Sequence, residues 1–175
     1  MKADKTWFNH VLIHGVILGL SLSLVEFTAL FLGMLFRPVM MNIYVILISL
    51  SVYIAIRKYR ETELNGIINF GDAFVSGLLV CAFAGVIWAI YRFFQYKYTP
   101  GLIDEILRMK TEFLTKSDMT ESDKDAFMKL FKMFTIPIVL SIVNTFFFGM
   151  VIGGSLISLF LGFVLQRKER PDINK

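Results

Sequence analysis

The sequence predicts an all-α protein, namely an integral membrane four-helix bundle with an extracytoplasmic amphipathic helical hairpin between helices 3 and 4. Apolar residues make up 56% of the 175 residues and charged residues only 18%, whereas a soluble domain is about a quarter charged. The mean hydropathy is +0.66. Four apolar runs are each long enough to cross a hydrocarbon core of about 30 Å. We therefore expect one membrane domain, residues 1–175, rather than a soluble globular protein.

The four spans are expected at about residues 11–36, 39–56, 73–91 and 136–165. The first run carries Glu26 and lacks a clear small-x-small cleavage site, which favours a retained helix over a signal peptide. A short loop at Arg37 separates it from the second run, so these two spans form an antiparallel hairpin. The fourth run is longer than the bilayer requires. We expect it to tilt, bend or project, and Pro137 and the Gly153-Gly154 pair are the natural places for a bend.

The segment of about residues 100–134 is the part of the chain that faces water, and it is rich in both charge signs. Thr99 followed by Pro100 predicts a helix with Pro at its first position. Thr120 with Asp123 three residues later is a capping-box pattern that predicts the start of a second helix. Each helix has one apolar stripe at helical spacing. The two stripes are expected to lie on each other or on the membrane surface.

Residues at the membrane interface predict the orientation. Four crossings place both termini and the link after the second span on one side, where basic residues cluster directly at helix ends. The positive-inside rule therefore places both termini on the cytoplasmic side of the membrane. The expected topology anchors and lipid-headgroup contacts are Arg57, Lys58, Arg60, Arg167, Lys168 and Arg170. An aromatic belt is expected at Trp88, Tyr91, Tyr96 and Tyr98.

A pattern around the link between the second and third spans carries a family resemblance. Its residues are Tyr59, Gly66-Ile67, Phe70-Gly71, Ala73-Phe74 and Gly77, followed by Tyr96, Pro100 and Asp104. The chain resembles the family called domain of unknown function 4199 along nearly its whole length. The resemblance implies a four-helix membrane protein of the inner membrane, of a kind found mainly in Bacteroidota, and it implies no catalytic or binding residue. Asn69 departs from the family pattern, in which a small hydroxyl residue is commoner, but Asn also caps helices.

Glu26 is the candidate functional residue with the strongest physical argument. An ionisable side chain inside a spanning helix is costly and by default indicates function. Counting from the helix ends places it in the same half of the membrane as Tyr44 of the second span and Asn144 of the fourth. Glu26 is then an ion or proton site, or it hydrogen-bonds Asn144 or a hydroxyl and holds helices together. The sequence leaves both alternatives open.

Small residues recur at four-residue spacing in three of the spans, a pattern that lets helix backbones approach closely in a membrane. The rows are Gly15, Gly19 and Ser23; Gly77, Cys81 and Gly85; Gly149 and Gly153; and Gly154, Ser158 and Gly162. The last span has two such rows on adjacent faces. One of these packs in the bundle and the other against a second copy of the chain, or both pack internally.

Metal, cofactor and nucleic-acid chemistry are not expected. His10 and His14 are four residues apart on one helix face, but the chain has only these two His and the single Cys81, and catalytic zinc sites use three protein ligands. No GxGxxG, Walker, GxSxG or HExxH motif is present, so we expect no enzyme. The net charge of +4 comes from basic residues at helix ends, which is typical of lipid-headgroup contact rather than nucleic-acid binding.

The leading functional hypothesis is a non-enzymatic accessory or interaction protein. Its expected partners are membrane lipids and either a second copy or another membrane protein. One alternative is a small transporter or channel subunit with Glu26 as the ion or proton site. Another is a lipid-binding membrane protein whose basic residues contact headgroups.

Overall fold

The structure is a computed structural model that describes residues 5–35, 37–135, 143 and 145–166. The described part is helical and contains no strand. Its helices are α1 (Lys5–Phe31), α2 (Val39–Thr62), α3 (Phe70–Tyr98), α4 (Leu102–Thr115), α5 (Glu121–Thr135) and, directly after a π-helical segment (Thr145–Ile152), α6 (Gly153–Leu165).

Three helices, α1, α2 and α3, are long and apolar enough to cross a membrane. The most apolar windows of these helices have mean hydropathies of 1.9, 2.3 and 2.3, yet only 33%, 28% and 50% of each window is buried. Large apolar side chains therefore remain on the surface, among them Phe31, Met41 and Leu24. Because soluble monomers rarely expose continuous apolar surface of this extent, these helices indicate a membrane protein.

The fourth expected span falls partly outside the described residues, and Pro137 lies outside them. The described part contains an apolar helix over Met150–Leu165, which is shorter than the roughly 17 residues that a span needs. The backbone pattern changes from π-helical to α-helical at Gly153, one of the two glycines at which we expected a bend. The count of four spans stays a prediction.

The first helix ends at Phe31, before the expected end of the span at residue 36. Gly33 adopts a left-handed φ of 61°, a conformation that glycine reaches at little cost. Its N–H donates to the Leu30 carbonyl at 3.1 Å, and the Met34 N–H donates to the Ala29 carbonyl at 2.8 Å. This pair of bonds is a Schellman motif, which satisfies terminal carbonyls and stops the helix.

Two helices begin at the side-chain caps that the sequence indicates. The Asp72 N–H donates to Asn69 Oδ1 at 2.8 Å, and Asn69 Nδ2 donates to the Asp72 carboxylate at 2.7 Å. The Asp123 N–H donates to Thr120 Oγ1 at 3.3 Å, and that hydroxyl donates to the Asp123 carboxylate at 2.7 Å. Both caps are confirmed, since each satisfies a backbone N–H that the first helical turn leaves without an intrahelical acceptor.

The start of α4 differs from the expectation. Gly101, not Thr99, is the N-cap residue, with a left-handed φ of 76°, and the first helical residue is Leu102. Pro100 therefore lies in the turn between α3 and α4 instead of at the first helical position. The Leu102 N–H donates to the Thr99 carbonyl at 3.3 Å, which closes this turn. Sequence inspection missed the role of Gly101 because Pro is common both in turns and at helix starts.

The chain divides into two compact units, one formed by residues 1–88 with 146–175 and the other by residues 89–145. In the first unit α2 contacts both α1 and α6. In the second unit α4 contacts α5, and Lys110 Nζ lies 5.5 Å from the centroid of the Phe131 ring. The two helices therefore form a pair in which a basic side chain of α4 lies over an aromatic ring of α5.

Candidate functional site

The buried carboxylate of Glu26 is the centre of the candidate site. Glu26 lies on α1, and only 1% of the residue is exposed. The indole Nε1–H of Trp88, on α3, donates a hydrogen bond to Glu26 Oε2 at 2.5 Å. Because an indole N–H and a carboxylate are both costly to bury without a partner, this bond satisfies two groups at once and joins α1 to α3.

A third helix contributes an aromatic ring to the same place. Tyr44 of α2 lies with its ring centroid 5.5 Å from that of Trp88, at an interplanar angle of 55°. The structure thus brings Glu26 and Tyr44 together through Trp88. Asn144, the third residue of the expected site, lies outside the described residues.

Trp88 is the residue of this site that sequence reasoning missed. We expected it in an aromatic belt, but it is 6% exposed and bonded to Glu26, so the belt interpretation of Trp88 is wrong. The available signal was chemical, since a buried Trp needs an acceptor for its N–H and Glu26 is an acceptor within another span. The spacing along the sequence does not show that the two side chains meet.

The small residues of α1 face α3 at very short range. A Cβ atom placed on Gly15 would lie 2.5 Å from the Cβ of Phe83, and one on Gly19 would lie 2.8 Å from the Cβ of Ile87. Ser23, the third member of this row, donates its hydroxyl to the Gly19 carbonyl at 2.8 Å within the same helix. Any side chain larger than hydrogen at Gly15 or Gly19 would therefore push α1 away from α3.

The small residues of α3 face those of α6 in the same way. A Cβ atom on Gly77 would lie 2.6 Å from Ser158 Oγ, and one on Gly154 would lie 2.6 Å from the Cβ of Cys81. At the far end of the row, a Cβ atom on Gly85 would lie 2.9 Å from the Cβ of Met150. Small residues on both helices let the two backbones approach.

The remaining glycines of these rows differ from one another in their surroundings. A Cβ atom on Gly162 would lie 3.2 Å from the ring of Phe70, so an aromatic side chain covers this glycine. Gly149 belongs to the π-helical segment, and Gly153 is the first residue of α6. The row Gly154, Ser158 and Gly162 thus faces the bundle, whereas packing of the Gly149 and Gly153 row against a second copy stays a prediction.

Arg60 differs from the other expected surface anchors. It is 7% exposed, and its Nη1 donates to the carbonyl of Leu165, the last residue of α6, at 3.1 Å. Its Nη2 lies 3.3 Å from the Glu61 carboxylate. A cation at the carboxyl end of a helix satisfies a terminal carbonyl and interacts favourably with the helix dipole. Arg60 therefore caps α6, and its role as a topology anchor stays a prediction.

The other expected anchors either are exposed on the surface or lie outside the described residues. Arg57 pairs with Glu61 at 2.9 Å on the surface, and Lys58 is exposed. Arg167, Lys168 and Arg170 lie outside the described residues.

The His pair on α1 makes structural contacts. His10 Nε2 donates to the Ala55 carbonyl of α2 at 2.9 Å, and the rings of His10 and His14 have centroids 4.5 Å apart. Within the described ranges, no group of three or more His, Cys, Asp or Glu side chains has the arrangement of a metal site. The His10 bond instead joins α1 to α2.

Comparison with protein families identifies the chain. The family model described as "Protein of unknown function (DUF4199)" matches residues 13–167. The chain belongs to this family. The DUF4199 match includes the link pattern and most of the described helices, and it confirms the family resemblance read from the sequence. No curated protein and no solved structure matches the chain.

The chemistry of the site in this DUF4199 chain follows from its described contacts. A Trp indole only donates hydrogen bonds, so Trp88 holds the Glu26 carboxylate in place but has no lone pair with which to accept a proton from it. The contact between Glu26 and Trp88 is therefore an orienting one. Any proton transfer at Glu26 must use another group.

Proposed function

We propose that this DUF4199 protein is a non-enzymatic accessory or interaction protein of the bacterial inner membrane. It has four spans, both termini in the cytoplasm and the pair of helices α4 and α5 on the outer side. The partner is a second copy of the chain or another membrane protein. The observation that carries this proposal is the surface of the α4–α5 pair.

Both helices of this pair combine surface salt bridges with exposed apolar side chains. Arg108 pairs with Glu105 at 2.6 Å on α4, a contact that raises the pKa of the Arg108 guanidinium because the carboxylate accepts its hydrogen bond. Phe113 on α4 is 66% exposed, and Leu130 and Met133 on α5 are 55% and 54% exposed. Apolar side chains left exposed on amphipathic helices are typical of contact surfaces.

Site-specific photo-crosslinking in native membranes tests the proposal. A photoreactive amino acid replaces Phe113 in one variant and the exposed Asp125 of α5 in a matched control. We expect a discrete protein adduct from position 113, absent from position 125, that weakens when Leu130→Ser and Met133→Ser are added. The adduct mass distinguishes a second copy from a different protein. Adducts with lipid alone, or the same protein adducts from both positions, would contradict the proposal.

The burial of Glu26 favours a second candidate, a small transporter or channel subunit. A carboxylate 1% exposed within an apolar helix is the kind of group that ion and proton pathways use. Glu26→Gln keeps the shape and hydrogen-bonding capacity of the side chain but removes its titration. Loss of proteoliposome ion flux in Glu26→Gln, with unchanged thermal unfolding, would support this function. Equal flux in the variant and wild type, or none in either, would contradict it.

A further inference from the structure

An apolar groove of about 360 Å³ lies where α1 ends and α2 begins. Thr28 and Ala29 of α1 form one wall, Met40 and Ile43 of α2 form the other, and Met34 lies in the connection between the helices. The volume falls within the range of about 300–1,000 Å³ that is usual for small-molecule sites. The groove is therefore large enough to hold part of a ligand, and its walls select for an apolar one.

The groove walls offer few hydrogen-bonding groups to a polar ligand. Thr28 contributes the hydroxyl of the groove, and that hydroxyl already donates to the Leu24 carbonyl of its own helix at 2.9 Å. The remaining lining side chains are aliphatic or Met. A soluble polar metabolite would lose hydrogen bonds to water here without replacing them, whereas a hydrocarbon chain would lose none.

A basic residue, Arg37, lies in the connection between the two helices that line this groove. The Arg37 N–H donates to the Met34 carbonyl, and the Arg37 carbonyl accepts from the Met40 N–H, each at 2.9 Å. These two bonds hold the backbone of Arg37 between two residues that line the groove. The Arg37 side chain is exposed, and it forms no ion pair with any residue within the described ranges.

The sequence around Arg37 explains why its charge is not neutralised locally. Between Glu26 and Glu61 the chain contains no Asp or Glu, so neither helix that flanks Arg37 supplies a carboxylate near it. A guanidinium beside the ends of two spanning helices lies at the depth of lipid headgroups. Its planar donors match the oxygens of a phosphate.

From this combination of an apolar groove and an unneutralised Arg in the adjacent connection, we propose that the α1–α2 groove binds an anionic phospholipid. One acyl chain lies in the groove between Thr28 and Ile43, and the lipid phosphate accepts hydrogen bonds from Arg37. The positive charge of Arg37 favours a headgroup with a net negative charge, while the apolar walls favour the acyl chain. This site is independent of the α4–α5 surface, so either proposal can fail without the other.

Native mass spectrometry of the full chain in mild detergent tests the site. Dioleoyl phosphatidylglycerol is titrated in, with dioleoyl phosphatidylcholine as the lipid that has the same chains and no net charge. We expect a single phosphatidylglycerol adduct at concentrations where phosphatidylcholine gives none. Arg37→Gln is expected to weaken that adduct about tenfold, as expected for the loss of a charge-assisted hydrogen bond. Equal binding of the two lipids by wild type would overturn the proposal.

Two further variants test the site: one controls for nonspecific attraction between charges, and the other fills the groove. Lys58→Gln removes one exposed positive charge at the opposite end of α2 and is expected to change binding less than about twofold. If Lys58→Gln and Arg37→Gln weakened lipid binding equally, net charge alone would explain the effect and the proposal would be overturned. Thr28→Phe fills the groove at an exposed position and is expected to abolish the adduct while the far-ultraviolet circular dichroism stays unchanged. An adduct that survives Thr28→Phe, or that inorganic phosphate displaces completely, would exclude an acyl chain in the groove.

Discussion

The contact between α1 and α3 makes Gly19→Ala a sensitive test of the packing. A Cβ atom on Gly19 would lie 2.8 Å from the Cβ of Ile87 and 2.9 Å from the backbone carbonyl oxygen of Ala84. Real Cβ atoms essentially never approach another atom this closely, and ordinary contacts begin at 3.4 Å. A backbone carbonyl cannot rotate away, so the helices must separate by roughly half an ångström, enough to forfeit about a quarter of the dispersion energy at each affected contact.

The expected cost follows from two opposing effects. Overpacking of this kind destabilises proteins by about 1–3 kcal/mol, and the higher helix propensity of Ala over Gly offsets up to about 1 kcal/mol of that. We therefore expect Gly19→Ala to lower the free energy of unfolding by about 1–2 kcal/mol. The matched control is Gly71→Ala on α3, because a Cβ there meets its nearest atom at 3.4 Å and should leave stability unchanged or slightly higher.

Titration of mixed micelles with sodium dodecyl sulfate, followed by circular dichroism, measures both variants, and linear extrapolation of the unfolding free energy compares them. Gly15→Ala combined with Gly19→Ala should cost less than the sum of the single variants, because the first substitution already separates the helices that the second would push apart. If Gly19→Ala were as stable as Gly71→Ala, the close α1–α3 contact would be refuted.

Three further substitutions, one of them with a matched control, test other contacts with the same titration. Arg60→Gln removes the donor to the last carbonyl of α6 and should cost about 1–3 kcal/mol. Arg57→Gln removes only an exposed ion pair, which solvent screens, and should leave stability nearly unchanged; equal effects of the two substitutions would exclude the buried cap. Asn69→Ala should cost about 1 kcal/mol through loss of the α3 cap, and an unchanged midpoint would argue against that cap. Trp88→Phe removes the indole donor to Glu26 and should cost about 1–3 kcal/mol, a prediction that wild-type stability would contradict.

Features that depend only on consecutive residues could be predicted from the sequence. The apolar runs that became α1, α2 and α3 could be located because helix length and hydropathy are properties of consecutive residues. The caps at Asn69 and Thr120 could be predicted for the same reason, since each cap bonds a backbone group three residues away. The end of α1 was missed because Gly33 interrupts an apolar run whose hydropathy continues beyond it, and hydropathy carries no information on a left-handed φ.

The sequence by itself determined that the chain is helical, apolar and rich in small residues at four-residue spacing, and it singled out Glu26. Only the tertiary structure decided that Trp88 donates to Glu26, that Arg60 is buried against the end of α6, and that the row beginning at Gly154 faces α3. Periodicity specifies which residues share a face of one helix. It does not specify the rotation and offset of that helix against its neighbours, and these decide which side chains from distant parts of the chain meet.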